Sequence, residues 1–134
     1  MKTLKNILVI GLITFGLFAF TSGVYDGWVV SAEYKTMENP TDPDDDEGLE
    51  IGEELYMKHC KSCHGKEGLG DGTKADELEG DLGDFSSEEF QAQTDGELFY
   101  KTKIGRDDMP EFVKKIPDDE EIWFVVNYMR ILGE

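Results

Sequence analysis

The run Cys60-Lys61-Ser62-Cys63-His64 constrains this chain more tightly than any other five residues in it. A C-x-x-C-H spacing is that of a c-type haem attachment site. Periodicity predicts helix over residues 56–64, which sets the two cysteines three residues apart on one face. Thiols so placed can each form a thioether to one edge of a porphyrin, and the adjacent His64 can offer an imidazole nitrogen to its iron.

Other uses of these residues fit less well. A thioredoxin-like C-x-x-C belongs in a βαβ setting, and the flanks here read as helix and loop. A structural zinc site takes ligand pairs from distant parts of a chain, whereas the two cysteines and two histidines here all lie at positions 59, 60, 63 and 64. Neighbouring helical residues point apart, so these four do not converge easily on a tetrahedral ion. A structural disulfide across so short a spacing would be strained.

The 134 residues suffice for one domain and a short appendage. Lys2 and Lys5 precede an apolar run at 7–20, the layout of a secretory signal. The run is shorter than the ~20 residues that span a bilayer, although apolar residues continue through Val24, Tyr25, Trp28, Val29 and Val30. Residues 1–32 are therefore expected to be a signal peptide or an uncleaved N-terminal membrane anchor. No cysteine follows the run to accept a lipid. Either way the remainder is exported, to the periplasm or the extracytoplasmic face of the membrane. That agrees with the attachment motif, because bacteria attach haem c outside the cytoplasm.

Net charge is −17, and from residue 33 onward 29 Asp and Glu face 11 Lys and Arg. Such a chain repels nucleic acid phosphates. A partner steered by charge is expected to present a basic surface, with salt weakening the association; the same charge also serves solubility alone. Residues 38–50 hold seven acids, no base, Pro40 and Pro43, a composition that buries too little to fold. Residues 33–48 are expected to form an acidic disordered linker, and residues 49–134 a folded domain.

Within that domain the pattern turns helical at Leu49 and runs into the cysteines, with Gly52 inside it at a cost of about 1 kcal/mol relative to Ala. Either a close backbone approach or a ragged helix start would explain that glycine. Residues 65–72 carry four glycines, the chemistry of a tight loop; a phosphate loop would need a preceding strand and a G-K-[ST] ending. Residues 73–84 read as acidic loop or a short, poorly formed helix. Ser86 or Ser87 can cap a brief helix through Phe90, and Asp95-Gly96-Glu97 opens another that stops at Gly105. Pro110 holds Met109 on extended, constrained backbone. The last helix can start from Asp118, with Glu121 completing a capping box, and stops at Gly133. It is apolar enough to need cover on more than one side. No convincing strand pattern appears, so the expected fold is all-α.

Taken together, the helix into Cys60-x-x-Cys63-His64-Gly65, the Gly68-x-Gly70-Asp71-Gly72 loop, Asp95-Gly96-Glu97-Leu98, Gly105-x-x-x-Met109-Pro110 and the Ile122-Trp123-x-x-Val126-Asn127-Tyr128-x-Arg130 helix resemble the bacterial class I monohaem c-type cytochromes. The resemblance implies a small helical domain around one covalently bound haem c. It implies that Cys60 and Cys63 hold the haem, that His64 is the proximal iron ligand and that Met109 is the distal one. It also implies that Gly52 and Tyr56 meet Val125 and Tyr128 where the first and last helices cross. Met57 lies one turn before Cys60, Met129 reads as core and Met37 precedes the acidic stretch at 38–50; His59, beside Cys60, is poorly placed for a bis-His site.

His/Met ligation favours Fe(II) relative to bis-His and leaves no iron position for a small-molecule substrate. The expected function is one-electron transfer outside the cytoplasm to redox protein partners, without catalysis. The alternative is a haem c subunit of a larger oxidoreductase complex. A haem enzyme or gas sensor would require Met109 to be absent from the iron or easily displaced.

Overall fold

The computed structural model describes residues 27–133, so the apolar run at 7–20, read as signal or anchor, lies outside the described residues. Among the described residues no helix is long and apolar enough to cross a membrane. In order come α1 (Ala32–Lys35), α2 (Asp46–His59), α3 (Lys61–His64), a single 3-10 turn (Ala75–Glu77), α4 (Glu88–Gln91), α5 (Asp95–Ile104) and α6 (Asp119–Ile131). No strand occurs among them; an isolated bridge joins Arg106 and Met109. The fold is all-α, as expected.

Two helices carry the frame. α6 is held at its start by the Asp118 side chain, which accepts from the Glu120 amide at 3.0 Å, and by acids in its first turn that suit the positive helix end. The capping bond thus goes to Glu120, and the reciprocal box is found instead on α5, between Thr94 and Glu97. Ile122, Val125 and Val126 of α6 are fully buried with Tyr56 and Ile116. α2 crosses α6 at Gly52: a Cβ there would lie 2.2 Å from the Phe124 carbonyl oxygen and 3.3 Å from Tyr128 Cβ. Close approach therefore accounts for the glycine, with the backbone of Phe124 as its nearest neighbour. One turn on, Tyr56 and Tyr128 bring their rings to 5.3 Å.

The expected acidic linker at 33–48 is corrected by the structure. Tyr34 stacks on Phe99 at 6.3 Å, and Gly96 of α5 passes so close to this segment that a Cβ would meet the Tyr34 carbonyl oxygen. Asn39 donates to Asn127 of α6 at 2.7 Å, and Asn127 donates in turn to Thr41 at 3.0 Å. Residues 28–45 thus form a strap over α5 and α6. Its acids are also not all solvent filler: Asp45 accepts from the Gly48 amide at 3.1 Å and starts α2 three residues before Leu49. Average composition hid both features, because a few aromatic and amide anchors order the segment.

The strap explains how α6 accommodates its polar residues. Asn127, 3% exposed, is satisfied by the strap. Arg130 bonds Asp95 at 2.6 Å and the Gln93 carbonyl at 2.6 Å, closing the α4–α5 junction onto α6.

Candidate haem-attachment site

The expected continuous helix over 56–64 is broken at Cys60, which ends α2 and opens α3. Backbone bonds still bridge the break: Cys60 donates to Tyr56 at 2.8 Å, and His64 donates to Cys60 at 3.0 Å. One compact turn therefore presents Cys60, Cys63 and His64 together, with both cysteines free.

The glycine-rich loop exists to close this turn. The amides of Gly70, Gly72 and Lys74 donate to the carbonyls of His64, Cys63 and Ser62 at 2.9, 3.1 and 2.8 Å. These are the carbonyls a short helix leaves without partners. A Cβ on Gly72 would lie 2.5 Å from the Ser62 carbonyl oxygen, so only glycine lets the loop come this close. Gly65 turns the chain with φ +84°, and the buried Tyr56 hydroxyl donates to its carbonyl at 2.9 Å. Burial pushes the Tyr56 phenol well above its ordinary value, followed by the nearby Cys60, Tyr128 and Asp71 charges.

His64 Nδ1 lies 3.0 Å from the Leu82 carbonyl oxygen. That oxygen can only accept, so Nδ1 carries the proton and Nε2 is the ring nitrogen with a free lone pair. Burial lowers the His64 pKa against the opposing effect of that bond, which favours the neutral, ligating form. The ring leans on Phe85 at 4.8 Å, itself stacked on Phe90 at 4.2 Å. Burial likewise pushes the Cys60 thiol up to about 12.

Met109 stands on a second, tight loop. The Arg106 and Met109 backbones exchange hydrogen bonds of 2.8 and 2.9 Å, around Asp107 at φ 52°. Met109 is thus in a closed turn rather than on plain extended chain, and its side chain is half-buried against the core. The segment at 79–82 touches both loops: Leu82 accepts from His64, and the Glu79 amide donates to Asp108 at 3.2 Å. The other methionines of the described residues are accounted for by packing. Met129 is 5% exposed, Met57 packs against the core, and Met37 lies between the core and Gly96. His59 ends α2 with its Nε2 buried and without a hydrogen-bond partner, edge-on to Phe112 at 6.1 Å.

Two free thiols, an imidazole with an unprotonated Nε2 and a thioether on a closed loop form a donor set that fits haem c. Sequence reasoning missed Leu82, Phe85 and the strap. A backbone acceptor such as the Leu82 carbonyl leaves no sequence signal, whereas Thr94-x-x-Glu97 matches the capping-box pattern and was readable.

Comparison with known proteins agrees. The sequence profile of the family Cytochrome C oxidase, cbb3-type, subunit III matches residues 47–129. No curated protein matches significantly. Among solved structures, a chain of the reducing HAO-like protein complex of Kuenenia stuttgartiensis is similar at TM-score 0.61 and 28% identity, over 73% of this chain and 50% of that one. The KustC0563 c-type cytochrome matches at 0.53 and 27%, over 62% of this chain and 98% of its own length. Cytochrome cL of Methylophaga aminisulfidivorans matches at 0.50 and 25%, over 66% and 57%. The chain therefore spans half the length of the Kuenenia chain. With the family match covering more than half of its residues, the chain belongs to the cytochrome c oxidase, cbb3-type, subunit III family and is a monohaem c-type cytochrome with covalently bound haem c.

Proposed function

We propose that the chain is an exported one-electron carrier in which Cys60 and Cys63 hold the haem, His64 is the proximal iron ligand and Met109 the distal one. The observation that carries this reading is the His64–Leu82 bond of 3.0 Å, which fixes the imidazole and keeps Nε2 as its lone-pair nitrogen. When bound, haem c supplies an Fe(III)/Fe(II) couple at a potential raised by a thioether ligand.

The residues around it keep the site rigid. The glycine loop holds the Cys60–His64 turn, Tyr56 holds Gly65, and the Arg106–Met109 turn presets the thioether. With His64 and Met109 both holding the iron, no position would remain there for a substrate and little would need to rearrange on transfer. Residues 1–32 export the chain and either leave it free in the periplasm or tether it to the membrane; the domain then begins with residues 33–45 of the strap and α2. At long range the charge of −17 favours basic redox partners, while the charges within about a Debye length, ~8 Å, decide which surface makes contact.

A second reading, a haem subunit of a larger oxidoreductase, is favoured by the similarity to a chain of the HAO-like complex. Potentiometric titration and gas binding test the first: a single one-electron step, with no carbon monoxide binding by the reduced protein, is expected. Rapid carbon monoxide binding would overturn it. Co-purification with a stable partner from native membranes or periplasm would select the subunit reading.

A further inference from the structure

The strap lies outside residues 47–129, the part shared with the family. It runs antiparallel along α5 from one end to the other. Asn39 donates to Asp95 at 3.4 Å, Met37 packs at Gly96, and Tyr34 has its ring centre 6.3 and 4.8 Å from those of Phe99 and Tyr100. Trp28 stands over the far end. The Lys101 ammonium lies 5.6 Å from the centre of its ring and the Arg106 guanidinium 4.4 Å, both within the range of a cation–π contact. A Cβ on Gly27 would lie 3.4 Å from the same guanidinium. Val30, 7% exposed, seats this end of the strap in the protein.

Lys101 belongs to α5, whereas Arg106 lies past Gly105 in the loop that carries Met109. One indole therefore spans the junction between the two. The Arg106 guanidinium also pairs with Asp107, the corner of the turn, at 3.2 Å, and the Arg106 backbone exchanges hydrogen bonds of 2.8 and 2.9 Å with Met109. The side chain under Trp28 and the backbone that sets Met109 thus belong to one residue. Further along, the loop is tied by the Phe112 amide to the Lys103 carbonyl at 3.2 Å and by Asp108 to Glu79. Trp28 holds the end nearest α5.

We propose that Trp28 is a positioning residue for Met109: through Arg106 it clamps the loop against α5 and limits how often the thioether can leave the iron. The inference rests on the reading of Met109 as the distal ligand. It moves the start of the electron-transfer domain forward to residue 27, so that export can remove only what precedes it. An arginine suits the role, because its guanidinium is planar, always charged and weakly hydrated, and stacks on aromatic faces. Without the indole the turn keeps its own backbone bonds but opens more often.

The test uses full-length oxidised holoprotein and imidazole, which takes the iron when Met109 leaves it. Trp28→Ala should bind imidazole roughly fivefold more tightly, as the opened loop gains population by the worth of a cation–π contact. The Arg106 and Met109 amides should exchange with deuterium faster by a similar factor. Trp28→Phe should restore part of both. Arg106→Gln should match Trp28→Ala, and the two together should add little to either alone. Val29→Ala, at a neighbouring position that is 76% exposed, should behave as the parent. Unchanged imidazole affinity in Trp28→Ala, an equal effect in Val29→Ala, or additive effects in the double variant would overturn the proposal. So would a mature protein that begins after Trp28 and still holds Met109 on the iron. A parent protein without the far-red sulfur-to-iron band would instead overturn the reading of Met109 beneath it.

Discussion

His64 donates from Nδ1 to the Leu82 carbonyl oxygen at 3.0 Å, and three residues before Leu82 the Glu79 amide donates to Asp108, the neighbour of Met109, at 3.2 Å. One short segment thus ties the turn that carries the attachment cysteines to the loop that carries Met109. Both proposed axial ligands are positioned through this segment, His64 by a bond to a main-chain carbonyl and the Met109 loop by a main-chain amide that donates to the Asp108 carboxylate.

Met109→Ala should leave the haem covalently attached, since Cys60 and Cys63 are untouched. The reduction potential should fall, on the order of a hundred millivolts within the ~0.8 V range that axial ligands command, and the reduced protein should now bind carbon monoxide. Potentiometry and gas-binding spectra check this; an unchanged potential would remove Met109 from the iron.

Gly52→Ala sets two effects against each other. Helix propensity favours alanine by ~1 kcal/mol, but the new Cβ would stand 2.2 Å from the Phe124 carbonyl oxygen, a backbone atom that cannot swing aside. Overpacking of that kind costs about 1–3 kcal/mol, and at this distance it should win. A net loss of up to roughly 2 kcal/mol is expected, a drop of up to about 10 °C in Tm for a domain of this size. Thermal unfolding that shows a gain would mean that α2 and α6 do not cross there.

The α2–α6 crossing also shows what was readable beforehand. The helical frame was legible in residue type and spacing, as were the attachment motif and the loop glycines, whereas the meeting of Gly52 and Tyr56 with α6 was implied by the family resemblance. The strap was not. Seven acids and two prolines outweighed Tyr34, Met37 and Asn39 in any compositional average, although those three residues hold the segment down. Leu82 was beyond reach for a different reason, because a carbonyl oxygen is common to every residue. Local charge was hidden as well, since Lys115 becomes a neighbour of His59 only once the chain folds.

Asn127→Leu tests the strap. It leaves the Asn39 amide and the Thr41 hydroxyl without the partner they have at 2.7 and 3.0 Å, at a cost of about 1–3 kcal/mol. Amides at 37–45 should exchange with deuterium faster in the variant, ahead of those in α6. Equal protection in variant and parent would show that the strap does not depend on Asn127.

Tyr56 makes stability depend on alkaline pH. Its folded-state pKa is raised by burial above the ordinary value of 10.0, so the unfolded chain releases its proton first. The stabilisation is fully present below about pH 10 and is lost as pH rises through the folded-state value. Tyr56→Phe should cost about 1 kcal/mol at neutral pH through the lost bond to Gly65, and should flatten the fall in stability above about pH 10. Parallel alkaline unfolding curves for the two proteins would contradict this assignment.

The most direct test of the central claim is an optical spectrum of the matured protein, oxidised and then reduced, after denaturation has shown the haem to be covalently bound. His64 and Met109 as the axial pair predict sharp low-spin bands on reduction and a weak far-red sulfur-to-iron band on oxidation. A high-spin spectrum, or a low-spin one without the sulfur band, would contradict it.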